Sequence, residues 1–530
     1  MKKIVLFFSI VIIMASCKSI DNYNIQATKL HPVEDVHEDV DNVYKKLKKL
    51  HPRLYQFANK ETLDYKFDSL KKAINKPITS REFYKKLAVV TKYIGQGHLS
   101  VSPPFIRFNR KERLNKNKMQ FDLNNLDLEF IDNKLIVFKA KGKDSLLVNA
   151  EILKVDGKTA QNLMDKYKNW IVSDGYNTTL HDRVVGKRFF RYYQYDIGRF
   201  DSISLTFKNR DSTFKKQFKR KLKSQITNKD SLNVDSLKIK KSKTKVSKAE
   251  RKANRLKRKK EFKDRQKYGY SILDKQKTRA LTFVGKDSTV AFVKIREFSR
   301  GNYKAFYKET FTILDSLKTE TLIIDLRNNF GGRLSEIANL YSYLTDKNFT
   351  FINKSEVNSR IPTLKYLMGD NTSVGGKIFS GVLSPFLLVR DLVKTSKDNG
   401  KLYYKFKYAK EQEPKPLNFK GKIYVLINGN SFSASSILST QLKGTKRATF
   451  VGEETGGAYN GTVAGLYKTY ELPNTKVKAN IGMLHIDSKY KIEPDGYGIK
   501  PDIEIVPTYK DRLNNRDPEL EWILKDINKK

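Results

Sequence analysis

Cysteine is almost absent from this sequence, which contains only Cys17 among its 530 residues. Because a disulfide framework needs at least two cysteines, the fold has to be stabilised by the burial of side chains. Cysteine pairs spaced for zinc, the H-E-x-x-H pair of zinc peptidases and the G-x-x-x-x-G-K-[ST] phosphate loop are missing as well. We therefore predict no metal and no organic cofactor.

Long apolar runs are scarce too, and the one at the N-terminus, residues 4–14, is shorter than the roughly 20 residues that span a bilayer. It follows two lysines and precedes Ala-Ser-Cys17, which is the pattern of a secretory signal over residues 1–17. A pair of small residues directly before cysteine also resembles a bacterial lipobox, although Met14 stands where leucine is usual. The resemblance implies that Cys17 carries a lipid and anchors the protein in the bacterial cell envelope.

Negative charge is in short supply, since 104 Lys and Arg face 57 Asp and Glu and leave a formal net charge of +47. Residues 208–279 alone hold 28 Lys or Arg and 7 Asp or Glu, a net charge of +21. Such a charge block is typical of a disordered or solvated helical insertion looped out of the globular body. A nucleic-acid arm is the alternative. Because an exported protein meets anionic lipid and polysaccharide first, we expect an anionic envelope polymer there and no nucleic acid.

Apolar periodicity divides the remaining chain. Leu63, Phe67 and Leu70 are spaced for a helix, whereas the region around Leu135 and Val137 alternates with period two. Strands and helices alternate after residue 280, which predicts an α/β sheet. The predicted segments are a lipoprotein signal peptide (1–17), an N-terminal helical region (18–118), a β-rich domain (119–207), the basic insertion (208–279), a catalytic domain (280–510) and a C-terminal helix or tail (511–530).

One stretch, residues 421–457, has the pattern of a reactive site. An apolar strand (423–427) leads through a turn of small polar residues (428–433) into a helix that ends near Gly444. A serine at such a turn projects from the sheet edge, and the first amides of the helix face any anion that forms there. The alternative is that these serines cap the helix. Four serines share the turn: Ser431, Ser433, Ser435 and Ser436.

Four motifs in order resemble peptidase family S41, the family of C-terminal processing proteases and tricorn-type proteases. They are D-L-R-x-N-x-G-G (325–332), S-x-S-A-S (431–435), G-E-x-T-x-G (452–457) and G-I-x-P-D-I (498–503). The resemblance implies a ClpP- or crotonase-like α/β catalytic domain. The run E-I-L-K-V-D-G-K (151–158) resembles part of a PDZ domain, a module that captures peptide C-termini by strand addition. An ordinary β-rich subdomain is the alternative there.

The resemblance implies that Ser433, at the centre of S-x-S-A-S, is the nucleophile. It places the donors for the oxyanion at the backbone N–H groups of Ala434 and of Gly331 or Gly332. The glycine pair allows the backbone to approach a substrate closely, because no Cβ stands in the way.

The base is expected to be a histidine, because the lysine that processing proteases carry after G-E-x-T is absent here. The tricorn-like branch uses a Ser-His-acid triad. His98, in a G-x-G-H-x-S turn, lies where that branch has its base, and His485, in a predicted strand, is its only serious rival. The acid of the branch lies just before the G-x-x-P-D motif, which points to Asp495, with Glu493 as the rival. A solvated Pro-Asp-Gly turn is the alternative for both.

These features together predict an exported, lipid-anchored serine endopeptidase that cleaves proteins or peptides through an acyl-enzyme. A catalytically inactive member of the same fold that binds peptides or the envelope is the competing hypothesis. A basic scaffold that attaches to envelope polyanions through residues 208–279 is a third.

Overall fold

The computed structural model of the protein describes residues 20–223, 247–271, 276–285, 289–299 and 301–529. The predicted signal peptide with Cys17 lies outside these residues, as does the middle of the predicted basic insertion. Across the described stretches, no helix combines the length and the apolar content that crossing a bilayer requires.

Helices dominate the N-terminal region: α1 (Val33–Leu50), α2 (Lys60–Lys72), α3 (Ser80–Lys92) and α4 (Arg110–Asn117). Their apolar residues at spacings of three and four are buried in one core. A capping box starts α3, since Thr79 and Glu82 exchange side-chain and backbone hydrogen bonds. Two short strands, β1 (Leu30–His31) and β2 (Ile78–Thr79), pair with each other, and β3 (Ser100–Ser102) follows the turn that carries His98.

A seven-stranded antiparallel sheet comes next in the chain and packs against the same core. Its strands are β4 (Met119–Phe121), β5 (Asp127–Ile131), β6 (Lys134–Lys139), β7 (Glu151–Val155), β8 (Lys158–Thr159), β9 (Ser202–Asn209) and β10 (Ser212–Leu222). Their order is β4-β10-β9-β7-β6-β5, with β8 paired to β7. Three helices accompany the sheet: α5 (Ala160–Lys168), α6 (Thr179–Lys187) and α7 (Phe189–Ile197). The β-rich content is as expected, and the likeness to a PDZ domain stays a prediction.

Strand β10 corrects the predicted start of the basic insertion at residue 208, because that boundary falls inside a β-hairpin. Ser212–Lys219 pair residue by residue with β9. Phe218 is buried against Phe207, while Lys215 and Lys219 lie on the more exposed side of the strand. A high lysine content therefore concealed a strand, because lysines on the solvent side of a sheet add charge without preventing pairing.

The later part of the predicted insertion forms a basic helix, α8 (Lys248–Tyr268), which has no buried residue. Its C-terminal end is held by the buried guanidinium of Arg279, at the start of the predicted catalytic domain. That group donates to the carbonyls of Lys267 and Gln266, both at 2.6 Å. The helix is thus fixed at one end and exposed along its length.

A six-stranded sheet organises the predicted catalytic domain. Its strands are β11 (Arg279–Val284), β12 (Val290–Ile295), β13 (Thr321–Asp325), β19 (Lys422–Ile427), β20 (Thr449–Gly452) and β23 (Ile503–Glu504), and they lie in this order across the sheet. All neighbours from β12 to β23 are parallel, and only β11 is antiparallel to its neighbour.

Helices cover both faces of this sheet. They are α9 (Tyr303–Ser316), α10 (Leu334–Tyr341), α14 (Ala434–Gly444) and α16 (Pro518–Ile527). Helix α15 (Tyr509–Leu513) instead contacts the β-rich domain, where Arg512 donates to Glu129 of β5. The apolar residues of α9, α10 and α14 share one core, and those of α16 share another with the opposite face of β13 and β19. Mixed α/β architecture with several sheets is therefore established, and the ClpP- or crotonase-like subtype stays a prediction.

A second sheet lies beside the first. Its strands are β15 (Ser355–Val357), β16 (Thr395–Asp398), β17 (Lys401–Tyr404), β21 (Gly461–Glu471) and β22 (Lys478–Asp487), in the order β16-β17-β15-β22-β21. Strand β3 pairs with β22, so the chain that follows His98 becomes part of this second sheet. A separate pair is β14 (Phe349–Thr350) with β18 (Glu411–Gln412). Three helices are inserted between β15 and β16: α11 (Pro362–Leu367), α12 (Val374–Val382) and α13 (Ser384–Lys394).

Candidate active site

Ser433 occupies the turn between β19 and α14. Its backbone has φ = 59° and ψ = −120°, a conformation that non-glycine residues rarely adopt. Its hydroxyl forms no hydrogen bond within the described chain and is partly exposed. The other three serines are buried, one in the turn and two at the start of α14, and their hydroxyls donate to backbone carbonyls at 2.8–3.0 Å: Ser431, Ser435 and Ser436. Ser433 is thus the serine whose oxygen is left available for chemistry.

Two backbone N–H groups beside Ser433 have no partner in the described chain, those of Ala434 and Gly332. Gly331 differs, because its N–H donates to Asn329 Oδ1 at 2.9 Å. Gly331 has φ = 94°, and a Cβ there would lie 2.6 Å from the carbonyl oxygen of Phe432. The absence of a side chain at Gly331 therefore allows the chain to pack closely against the turn that carries Ser433. Gly332 and Ala434, in contrast, keep free N–H donors of the kind that stabilise an oxyanion.

His98 and Ser433 line the same cavity, of about 520 Å³. The imidazole stacks on Phe432, the residue before Ser433, with 4.5 Å between the ring centroids. Burial lowers the pKa of His98 to about 4, so the ring is neutral at neutral pH. A neutral imidazole is the state that accepts a proton from a serine hydroxyl.

A hydroxyl fixes the tautomer of this ring. Thr462 Oγ lies 2.8 Å from His98 Nδ1 and donates its own hydrogen to Asp174 Oδ1 at 3.2 Å. Because a hydroxyl has one hydrogen to donate, Thr462 has to accept from His98 Nδ1–H. The proton therefore sits on Nδ1, and Nε2 keeps its lone pair for the substrate side.

Asp174 is the acidic group at the end of this chain of bonds, and sequence reasoning missed it. Its carboxylate is buried and also accepts from the N–H of Gly97 at 2.7 Å and from that of Ala458 at 3.4 Å. Burial raises the pKa of Asp174 to about 6 in spite of these bonds. The residue lies outside all four motifs, in a turn after α5, so its sequence carries no signal beyond an Asp-Gly turn.

Asp495 lies near this network without a hydrogen bond to His98. Its Oδ2 accepts from Gln56 Nε2 at 2.8 Å, and its Oδ1 accepts from the N–H of Gly496 at 2.7 Å. Gln56 Oε1 in turn accepts from Gln96 Nε2 at 3.0 Å, two residues before His98. The charge of Asp495 contributes to the raised pKa of Asp174, so the two carboxylates influence each other. Its role as the acid stays a prediction.

Glu493 is exposed, and no ion pair or side-chain hydrogen bond connects it to the described residues around His98. The lysines that the sequence places near the serine turn lie elsewhere. Lys443 at the end of α14 pairs with Asp502, and no lysine is found among the described residues that line the cavity of Ser433.

A second cavity, of about 580 Å³, also reaches Ser433 and has a largely apolar wall that includes Leu334, Tyr366, Leu387 and Phe406. Ser433 thus lies where two cavities meet, so a chain bound across it would place residues on both sides of a cleaved bond. No cluster of three or more His, Cys, Asp or Glu suited to a metal ion is found within the described ranges.

Comparison with known proteins agrees with this geometry. Residues 289–505 match the model of peptidase family S41. The structure of mature CPAF is 15% identical and superposes with a TM-score of 0.58, covering 93% of this chain and 97% of that one. CPAF complexed with lactacystin is 15% identical, with a TM-score of 0.59 and coverage of 93% and 98%. The photosystem II D1 C-terminal processing protease is 12% identical over 89% of this chain and 93% of that chain, with a TM-score of 0.41. No curated protein matches.

The structural likeness to CPAF shows a shared fold. The family match covers the region that carries Ser433 and the segments predicted to hold the oxyanion. Residues 289–505 are thus similar to peptidase family S41, and this similarity supports a serine-type peptidase.

Proposed function

We propose that the protein is an exported endopeptidase, anchored to the bacterial envelope through Cys17, that cleaves proteins or peptides through an acyl-enzyme on Ser433. The observation that carries the catalytic part is the pairing of the one unbonded serine of the turn with a neutral imidazole in the same cavity. The lipobox-like pattern before Cys17 supports the anchor.

The first half of the reaction follows from these positions. Ser433 Oγ attacks the scissile carbonyl carbon, and its proton passes to His98 Nε2. The carbonyl oxygen becomes an oxyanion beside the N–H groups of Gly332 and Ala434. The imidazolium that forms is held through Nδ1–H by Thr462, whose hydroxyl is aligned by the Asp174 carboxylate.

The second half uses the same groups. His98 donates the proton from Nε2 to the leaving amine, the C–N bond breaks, and an acyl ester remains on Ser433. Water then attacks that ester while His98 accepts its proton, and the returned proton regenerates the Ser433 hydroxyl. Asp495 is proposed to support the network electrostatically or as the acid of the triad, and Glu493 is the weaker candidate because it is exposed.

The test is hydrolysis of dye-quenched casein by the full chain and by Ser433→Ala. We expect turnover by the parent and none by the variant. Ser436→Ala is the matched control, because it removes a buried hydroxyl three residues further along without touching the nucleophile. An inactive parent that still binds casein would favour the competing hypothesis of a peptide-binding protein.

A second candidate activity, attachment to an anionic envelope polymer, is supported by α8. This helix has eleven Lys or Arg and three Asp or Glu, and none of its residues is buried. Replacing its exposed lysines with glutamine should weaken adsorption to a polyanion column and leave casein hydrolysis unchanged. Equal adsorption of parent and variant would exclude α8 from this role. Deletion of residues 208–279 is unsuitable, because it would remove β10.

A further inference from the structure

Helices α12 and α13 form a hairpin whose apolar side chains point away from the protein. We call residues 374–394 the apolar hairpin. Six of its large apolar side chains are each between 62% and 74% exposed: Ile378, Phe379, Val382, Phe386, Val389 and Val393. A contiguous apolar surface of this kind is uncommon on soluble proteins and marks a docking site.

The polarity of the apolar hairpin is inverted relative to a helix that packs on a protein core. Asp391 is fully buried at its base, where the carboxylate accepts from the N–H groups of Thr363 at 2.8 Å and Leu364 at 3.2 Å. Leu387 is its one buried large apolar side chain in α13, and Ser380 is the buried residue of α12. The hairpin is therefore held by a few inward contacts while its apolar side faces outward.

Charge favours an anionic bilayer over a second copy of this chain as the occupant. Residues 360–410 contain ten Lys or Arg and three Asp or Glu. Lys377 and Lys394 lie within the hairpin itself. A second copy docked on the same face would bring like charges together, whereas anionic headgroups would complement them.

The position of the N-terminal residues points to the same side of the molecule. Asn24 exchanges two hydrogen bonds with the backbone of Arg107, at 2.8 and 3.0 Å. Arg107 pairs with Glu471 at 3.3 Å, and the N–H of Glu471 donates to Asp370 at 2.9 Å, four residues before α12. Cys17 precedes Asn24 by seven positions, and because residues 20–24 are helical the span is at most about 17 Å. A lipid at Cys17 would therefore enter the bilayer near the base of the hairpin.

We propose that the apolar hairpin inserts into the interfacial region of an anionic lipid bilayer. Its apolar side enters the boundary between headgroups and acyl chains, and its lysines remain among the headgroups. Tyr366 and Leu387, at the base of the hairpin, line the apolar cavity of Ser433, so this contact holds that cavity at the membrane surface. One argument for the proposal rests on the proposed lipid at Cys17, whereas the exposed apolar side chains and the charge do not, and the tests below use Cys17→Ser so that the two can fail separately.

The direct test is a fluorescent label that reports depth. In the full chain carrying Cys17→Ser, a cysteine is introduced at Phe379 or Phe386 and labelled with the environment-sensitive dye NBD. Vesicles of phosphatidylcholine with phosphatidylglycerol should shift the emission of both labels to shorter wavelength, and lipids with doxyl-labelled acyl chains should quench them. The control label at Leu146, which is 82% exposed in the β-rich domain, should not respond.

A binding experiment complements the label. Phe379→Glu with Phe386→Glu should reduce sedimentation with the anionic vesicles at least tenfold relative to the Cys17→Ser parent, while casein hydrolysis stays unchanged. The proposal is overturned if the labels at 379 and 386 ignore vesicles or respond no more than the label at 146. It is also overturned if they shift with protein concentration in the absence of lipid, which would identify a second copy as the occupant.

Discussion

Replacement of Asp174 by asparagine should separate catalysis from stability. The carboxylate aligns Thr462, which accepts from Nδ1–H of His98 and so keeps the Nε2 lone pair available. An asparagine amide has no negative charge to stabilise the imidazolium, and it can present its NH₂ group to the Thr462 hydroxyl. We expect reactivity to fall by about 10²- to 10⁴-fold, the range that positioned acid–base groups contribute.

The stability of the parent should fall as the pH rises, because Asp174 ionises, and the variant should escape this loss. The folded state raises the pKa of Asp174 from 3.8 to about 6, so the fold favours the protonated form. Ionisation of this group therefore lowers the free energy of unfolding between about pH 4 and pH 6, by about 3 kcal/mol when complete. The amide introduced by Asp174→Asn does not titrate, so the variant avoids this loss. It gives up one acceptor, which costs about 1–3 kcal/mol at every pH.

The assays are the rate of fluorophosphonate labelling from pH 5 to 8 and urea unfolding at pH 4 and pH 7.5. The labelling rate of the parent should fall as the pH drops through about 6, and the variant should lack this limb. The stability of Asp174→Asn relative to the parent should improve by about 3 kcal/mol between the two pH values. Asp495→Asn is the comparison variant, because Asp495 is the other candidate for the acid. A larger loss of labelling in Asp495→Asn, or a pH-independent difference in stability for Asp174→Asn, would refute this assignment.

Three further predictions follow from individual contacts. Thr462→Val should slow labelling at least tenfold, whereas Thr462→Ser should label at about the parent's rate. The reason is that the hydroxyl, and not the methyl group, connects the imidazole of His98 to the carboxylate of Asp174. Equal labelling rates in the two variants would contradict this. Gly331→Ala should lower both the labelling rate and the melting temperature, since its Cβ would lie 2.6 Å from the Phe432 carbonyl oxygen at φ = 94°; a melting temperature equal to the parent's would show that the turn relaxes. Arg327→Met should lower the free energy of unfolding, measured in urea at pH 7, by about 3–5 kcal/mol. The reason is that it leaves the buried Asp325 carboxylate, whose pKa the arginine helps to hold at about 2, without its main partner. A loss below about 1 kcal/mol would mean that Arg296 compensates.

The sequence predicts the nucleophile region well because its signals are local. The apolar strand, the small-residue turn and the apolar helix around Ser433 occupy consecutive positions, so pattern and structure correspond closely. The choice among the four serines rested on family resemblance, and the hydrogen bonds of the other three supply its physical basis.

Asp174 shows where such reasoning ends. It acts through a hydroxyl on β21, 288 positions further along the chain, and neither residue belongs to a recognisable motif. Strand β10 shows a different failure, because net charge over a window does not reveal which side chains share a face. The apolar hairpin shows a third. Its sequence has ordinary helical periodicity, and it takes the burial of Asp391 and the exposure of the apolar side chains in the structure to reveal which side faces outward.

The most direct test of the central claim is to map a fluorophosphonate adduct by peptide mass spectrometry in the parent and in His98→Ala. We predict a single adduct on Ser433 in the parent, and labelling of that residue at least a hundredfold slower without the imidazole. An adduct on another residue, or a labelling rate at Ser433 that does not depend on His98, would contradict the proposed mechanism.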